Sequence, residues 1–227
     1  MAFASQVNVE LQAHWVLPRW PSHRAPHDWQ KYMRPRAKVQ GVWVYFIEVT
    51  FFIADPVMPH DSSMIVEVIA QCLERVDEIC RERNIARPTE FVLWTDNTSR
   101  ENKNSTMMAY LAHLVSKGMF TCASLMNLPK GHTHNILDQL FGVISRAMKT
   151  VHTLRDLDEL AEQSESFLQR PALREWFGPD TRVRCKLLLS VRNWTAFYEQ
   201  LHISYEGGMR WDVTATHCVS AMVRHTG

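Results

Sequence analysis

Phe91-Val92-Leu93-Trp94-Thr95-Asp96-Asn97-Thr98-Ser99-Arg100-Glu101-Asn102-Lys103-Asn104 is the stretch whose reading decides the fold. Phe91–Thr95 is apolar and β-branched over a strand's length, and the chain then turns abruptly polar. A buried strand that ends on a carboxylate and leads through a polar loop into a helix is the punctuation of an α/β domain. Downstream, apolar spacing predicts a helix over about Asn104 to Lys117, with Gly118 as its stop. Phe120–Met126 reads as the next strand, Pro129-Lys130-Gly131 as a turn, and a third helix is predicted from near His134 to about Met148. Upstream, Ile65, Val68, Ile69, Cys72, Leu73, Val76, Ile79 and Cys80 recur at helical spacing, so a helix over about Met64 to Arg83 is predicted, with Asp61 or Ser62 as its cap. Val39–Ile53 has the composition of a buried strand or strand pair. Strand, helix, strand, helix, strand, helix is the order of an α/β domain with a central sheet.

The flanks read differently. Residues 1–38 carry Pro18, Pro21, Pro26 and Pro35 among basic and aromatic residues, which disfavours regular structure, with room for a short strand at Val7–Leu11 or near Trp15–Leu17. After Val151, Leu154–Gln169 reads as an acidic amphipathic helix stopped by Pro171, and Val183–Val191 as a strand. Three segments are therefore expected: an irregular 1–26, a domain over 27–150, and a mixed α+β C-terminal extension over 151–227.

With 25 Lys plus Arg against 24 Asp plus Glu, the chain carries a net charge of +1, so a uniformly basic nucleic-acid coat is excluded and any such contact needs a local patch. The five cysteines (Cys72, Cys80, Cys122, Cys185, Cys218) form no C-x-x-C pair, so free thiols in a reducing compartment are expected. No apolar run reaches about 18 residues, so no membrane span is expected. Nor is there a secretory leader at Met1–Trp20, which makes an intracellular protein the expectation, in nucleus or cytoplasm.

Two segments could carry chemistry. Asp96, at a strand's carboxyl end, suits a hard divalent cation such as Mg²⁺, with Asn97, Asn102, Lys103 and Asn104 placed to orient water or phosphate. The bland alternative is an Asx turn and helix cap. In Gly131-His132-Thr133-His134-Asn135-Ile136-Leu137-Asp138, His134 and Asp138 are spaced to share a helix face, with His132 just before. These could form a transition-metal site, or Asp138 could serve alone in an oxygen-rich Mg²⁺ site. A Thr133 cap with a surface His134–Asp138 hydrogen bond explains the same residues without a metal. His113 reads as a packed or surface histidine, and Ser99 lacks the setting of a serine hydrolase. Neither a P-loop nor a Rossmann glycine motif occurs, so no nucleotide cofactor is expected. Trp20 and Trp29, among basic residues, could stack on bases.

Asp96-Asn97-x-x-x-Glu101-Asn102-Lys103-Asn104 followed by Gly131-His132-Thr133-His134-x-x-x-Asp138-x-x-Phe141 resembles a domain of transposable-element origin. That domain's layout is similar to the RNase H-like core of DDE transposases and integrases. His27-Asp28-Trp29-Gln30-Lys31-Tyr32-Met33-Arg34-Pro35-Arg36 resembles a further passage of the family, and the whole likeness covers about residues 27–148. The resemblance implies an RNase H-like mixed sheet flanked by helices. It also implies two-metal phosphoryl transfer on nucleic acid, with two Mg²⁺ or Mn²⁺ ions roughly 3.5–4 Å apart. Such enzymes place one acid on the first strand, a second after the fourth strand and a third on a later helix. Asp96 and Asp138 map to the second and third, and Asp28 is the candidate for the first, with Glu48 as the other choice. His134 joins Asp96 and Asp138 as a metal ligand, or with Lys103 contacts phosphate or moves a proton, while Asn97, Asn104 and His132 contact the strand. The sequence departs from the pattern where Pro18, Pro21 and Pro26 occupy the stretch expected for the first strand. The resemblance also admits a catalytically inactive nucleic-acid-binding domain, or a protein-interaction domain docking a partner through residues 154–169.

Overall fold

Eleven residues ahead of the prolines, Gln6–Val16, form the first strand, β1. The computed structural model describes residues 6–16, 37–95, 104–127, 136–148, 151, 154–177, 181–201 and 218–222. Pro18, Pro21 and Pro26 therefore follow the first strand and do not interrupt it, which corrects the expectation that they occupy its place. A strand needs its N–H groups only along its own length, so prolines beyond its end cost it no ladder bond. The fold is mixed α/β, and its residues group into two compact units that interleave in sequence. β1 is divided between them at Leu11.

The first unit comprises Met1–Leu11, Pro59–Thr133 and Val191–Gly227. β1 pairs in parallel with β4 (Glu90–Thr95), and β4 in parallel with β5 (Cys122–Asn127). β7 (Cys218–Met222) closes the far side antiparallel to β5. Parallel neighbours require crossovers, which α2 (Ser105–Ser116) supplies between β4 and β5. α1 (Ser62–Glu82) begins where the Asp61 carboxylate accepts the Ser63 and Met64 N–H groups at 2.9 and 3.3 Å. It buries Ile65, Val68, Ile69, Leu73, Val76 and Ile79, as its spacing predicts. α2 is capped by Asn104, which accepts from Met107 N–H at 3.0 Å, and ends before Gly118, whose φ of 67° is the left-handed stop expected there.

α6 (Trp194–Gln200) is fastened to α1 by one buried carboxylate. Glu67 Oε2 accepts from Arg192 Nε at 2.8 Å and Trp194 Nε1 at 3.0 Å, and Oε1 from Arg192 Nη2 at 3.1 Å and Gln71 Nε2 at 3.3 Å. Burial pushes this carboxyl up, and the bonds from Arg192, Trp194 and Gln71 outweigh burial and hold it below its ordinary value. Beside it, Trp194, Phe197, Tyr198 and His113 form a ring cluster with centroids 5.1–6.3 Å apart.

The second unit comprises Gln12–Met58 and His134–Ser190. The apolar run Val39–Ile53 is a hairpin: β2 (Ala37–Val44) and β3 (Glu48–Ala54) pair antiparallel around Tyr45-Phe46-Ile47. β6 (Arg182–Leu188) adds in parallel to the other side of β3. One face of this sheet packs on α3 (Ile136–Met148) and α4 (Leu157–Leu168) through Val49, Phe51, Ile53, Phe141, Ile144 and Phe167. Phe51 and Phe141 meet edge to face at 5.2 Å, a contact worth about 0.5–1.5 kcal/mol beyond the area it buries. Gly41 makes room for it, because a Cβ there would lie 3.1 Å from the Phe141 ring and 3.3 Å from Phe51. Pro171 ends the α4 segment and opens α5 (Pro171–Phe177), where a first-turn proline loses no helix bond. Among the described residues no helix is long and apolar enough to cross a membrane.

Candidate functional site

The carboxyl ends of β4 and β5 coincide. Thr95, fully buried and last in β4, is in register with Asn127, last in β5, and with Leu11 of β1. Adjacent strands lie about 4.8 Å apart, so the chain leaves the sheet at neighbouring points on one edge. In sequence Asp96 follows Thr95 directly, and the His132–Asp138 segment follows the end of β5 at Asn127. The carboxyl ends of parallel strands are the edge where open α/β sheets bind ligands. Burial alternates along β4, with Phe91, Leu93 and Thr95 inside, and this fixes its register against both neighbours.

Asp96, Asn97, Lys103, His132, His134 and Asp28 themselves lie outside the described residues. Asn104 is described, and its side chain caps α2. Asp138 is half-buried in the first turn of α3, where the helix dipole favours a carboxylate, while Leu137, Leu140 and Phe141 on the same helix fill the core of the second unit. Among the described residues no group of three His, Cys, Asp or Glu is placed to hold a metal ion.

Glu48, the other choice for the first acid, is occupied structurally. It is 3 % exposed, accepts from the Thr50 hydroxyl at 2.9 Å, and pairs with Arg184 Nε at 3.2 Å across β3 and β6. Sequence reasoning passed over Glu10. This acid lies on β1, in register with Trp94, two residues before Asp96 in β4's numbering. The signal was present in the alternation of Val7, Val9 and Leu11 with Asn8, Glu10 and Gln12, the pattern behind the short strand expected at Val7–Leu11, which puts Glu10 on it.

The acidic helix α4 keeps Leu160, Ala161, Phe167 and Leu168 in the core. Outward, with β6, it lines a cleft of about 410 Å³ bearing Asp158, Glu162 and Glu165. Glu165 is already engaged there: Oε2 accepts the Cys185 N–H at 2.8 Å and Oε1 accepts from Gln169 at 2.9 Å, so the helix covers a backbone donor of β6. Among the described residues Cys72, Cys80, Cys122 and Cys185 form no disulfide, and burial pushes the Cys80 and Cys185 thiols up, away from the reactive thiolate form.

One family model, described as a domain of unknown function (DUF7869), matches residues 28–201. No curated protein and no solved structure matches the chain.

Proposed function

As the chain belongs to the DUF7869 family, whose description assigns no activity, we propose its function from its own residues: a transposon-derived, RNase H-like nuclease or transposase domain that transfers phosphoryl groups of nucleic acid. The observation that carries this reading is the common edge at which β4 and β5 end in register, Thr95 beside Asn127, the residues after which the two motifs follow in sequence. The order β1, β2, β3, α1, β4, α2, β5, α3 supports it further, since β1, β4 and β5 are parallel while β2 and β3 form an antiparallel hairpin. In that order Glu10 lies on the first strand, Asp96 directly follows the fourth, and Asp138 is on the later helix.

Mg²⁺ and Mn²⁺ prefer carboxylate oxygens, and Asp96, Asp138 and Glu10 or Asp28 are the acids offered as ligands by the resemblance. Bound there, such ions would supply Lewis-acid activation of the attacking and leaving oxygens. The chain's own contributions are positional. Lys103 neutralises a phosphate, His134 moves a proton, and Asn97 and His132 contact the strand.

Cleavage and strand transfer of labelled single-stranded DNA, duplex DNA, RNA and hybrid, with Mg²⁺ or Mn²⁺, test the reading. The wild type is expected to act, and Asp96→Ala and Asp138→Ala to lose activity with unchanged circular dichroism. Parallel Glu10→Ala and Asp28→Ala variants identify the first acid by which of them fails. Wild-type rates in Asp96→Ala or Asp138→Ala would refute the mechanism.

A further inference from the structure

Three helices of the first unit bring their opening turns together at one point. Ser63, Thr106 and Thr195 are each the second residue of their helix, α1, α2 and α6. Thr195 Oγ1 lies 3.2 Å from Ser63 Oγ and 3.1 Å from Thr106 Oγ1, and the Thr195 N–H donates to Ser63 Oγ at 3.2 Å. Hydroxyls near a helix start commonly satisfy that helix's own N–H groups. Here the caps are supplied by other side chains, Asp61 for α1, Asn104 for α2 and Asn193 for α6. The three hydroxyls instead join one helix to the next. Ser63 and Thr106 are 3 % and 6 % exposed, so breaking the junction strands polar groups that water reaches poorly.

The junction recurs one turn further in. Glu67, four residues after Ser63 on α1, takes Arg192 and Trp194, and Tyr110, four after Thr106 on α2, meets the Trp194 ring edge to face at 5.9 Å. Residues at i and i+4 share a helix face, so Arg192–Thr195 grips one face of α1 and one of α2 at two levels. Helix N-termini carry partial positive charge and repel where they meet, an effect that the Glu67 carboxylate beside α6 offsets. What the grip holds is the end of the first motif. Asn104, the motif's last residue, accepts the Met107 N–H on its side chain at 3.0 Å and the Met108 N–H on its C=O at 3.2 Å. Thr106 lies in that same turn, and Thr195 reaches it from 89 residues further along the chain. The motif is therefore joined to the fold at two places, buried Thr95 at the end of β4 and this first turn of α2.

We propose that Thr195 is a positioning residue for the first motif: through Thr106 it fixes the turn of α2 that ends the motif, and so the placing of Lys103, one residue before Asn104. Its part in phosphoryl transfer rests on the nuclease reading, whereas its hold on the turn rests on the three hydroxyls alone. The hydroxyl is what matters at 195, because valine keeps the shape of threonine but can neither donate nor accept. A displacement of about 1 Å at a group that meets the reacting phosphate costs up to about 10²-fold in rate.

Thr195→Val and Thr195→Ser in the full chain give the test, read by hydrogen exchange of α2 amides and by steady-state cleavage of whichever labelled substrate the wild type cuts with Mn²⁺. In Thr195→Val the protection factors of the Met107 and Met108 amides are expected to fall about fivefold while those of Leu111 and Leu114 hold. The melting temperature is expected to fall by no more than about 4 °C. kcat is expected to fall about tenfold with KM within about twofold, and Thr195→Ser to restore both readouts. A Thr106→Val/Thr195→Val double variant is expected to lose no more kcat than Thr195→Val, since its second substitution removes a bond already broken. Wild-type protection of Met107 and Met108 in Thr195→Val overturns the proposal, as does a Thr195→Ser that fails to restore it. Protection lost in Thr195→Val and restored in Thr195→Ser, in a wild type that cleaves nothing, upholds the hold on the turn and refutes the nuclease. Cleavage abolished by Asp96→Ala but unchanged in Thr195→Val does the reverse.

Discussion

Replacing Glu67 should show how much of the first unit's stability passes through one side chain. Its carboxylate is 7 % exposed and accepts five hydrogen bonds, including a backbone bond from Arg192 N–H at 3.3 Å. Glu67→Leu keeps most of the volume but strands the Trp194 indole N–H and the Arg192 backbone N–H, both part-buried, so each costs toward the lower end of the about 1–3 kcal/mol of a buried unsatisfied donor. Arg192 is 57 % exposed, so its guanidinium recovers water and adds little. The sum is about 3 kcal/mol, or a fall in melting temperature of about 6–12 °C for a chain of this size. Glu67→Gln keeps one acceptor oxygen for Trp194 and the Arg192 backbone but sets an NH₂ against the Arg192 and Gln71 donors, so about 1–2 kcal/mol is expected. Urea unfolding of both variants, with Arg192→Met and the Glu67→Gln/Arg192→Met double variant, isolates the coupling, expected near 1 kcal/mol. A Glu67→Leu protein within about 0.5 kcal/mol of wild type would refute the idea that the carboxylate fastens α6 to α1.

Acid should loosen the same contact. Glu67 is held below its ordinary value in the fold, so its stabilising contribution is complete above about pH 4.5 and is lost as the pH falls through the lower folded value. His113, packed against Phe197 and Tyr198 at 6.3 and 5.9 Å, is pushed down by burial and by Lys117. It therefore begins to cost stability as the pH falls below about 6.5. Protection factors of the amides of residues 194–200, which remove the intrinsic pH dependence of exchange, should fall in two stages on acidification, the first absent in His113→Phe; protection unchanged with pH would contradict both. In the second unit, Gly41→Ala drives a methyl against the Phe51–Phe141 pair and should cost about 1–3 kcal/mol by thermal melting, whereas an unchanged melt would show that the rings give way freely.

What the sequence determined by itself is local. Asp61 caps α1, Asn104 caps α2 and Gly118 stops it, because a cap is a bond between a side chain and backbone a few residues away. Helical spacing marked α1, α2 and α4 for the same reason: period is a property of neighbouring residues. The candidate motifs were equally readable, and so was the placement of Asp96 at a strand's end. The turn at Tyr45–Ile47 was not, since Val39–Ile53 contains none of the residues that usually announce a turn at its apex. Only tertiary structure decided that β1 pairs with β4 so that Leu11, Thr95 and Asn127 share an edge, that β6 joins β3, and that Glu67 finds Arg192 far along the chain. These are meetings of distant segments, in which buried apolar area and paired polar groups must jointly offset the entropy of closing long loops. No short window of sequence contains both partners, so no local pattern could have announced them.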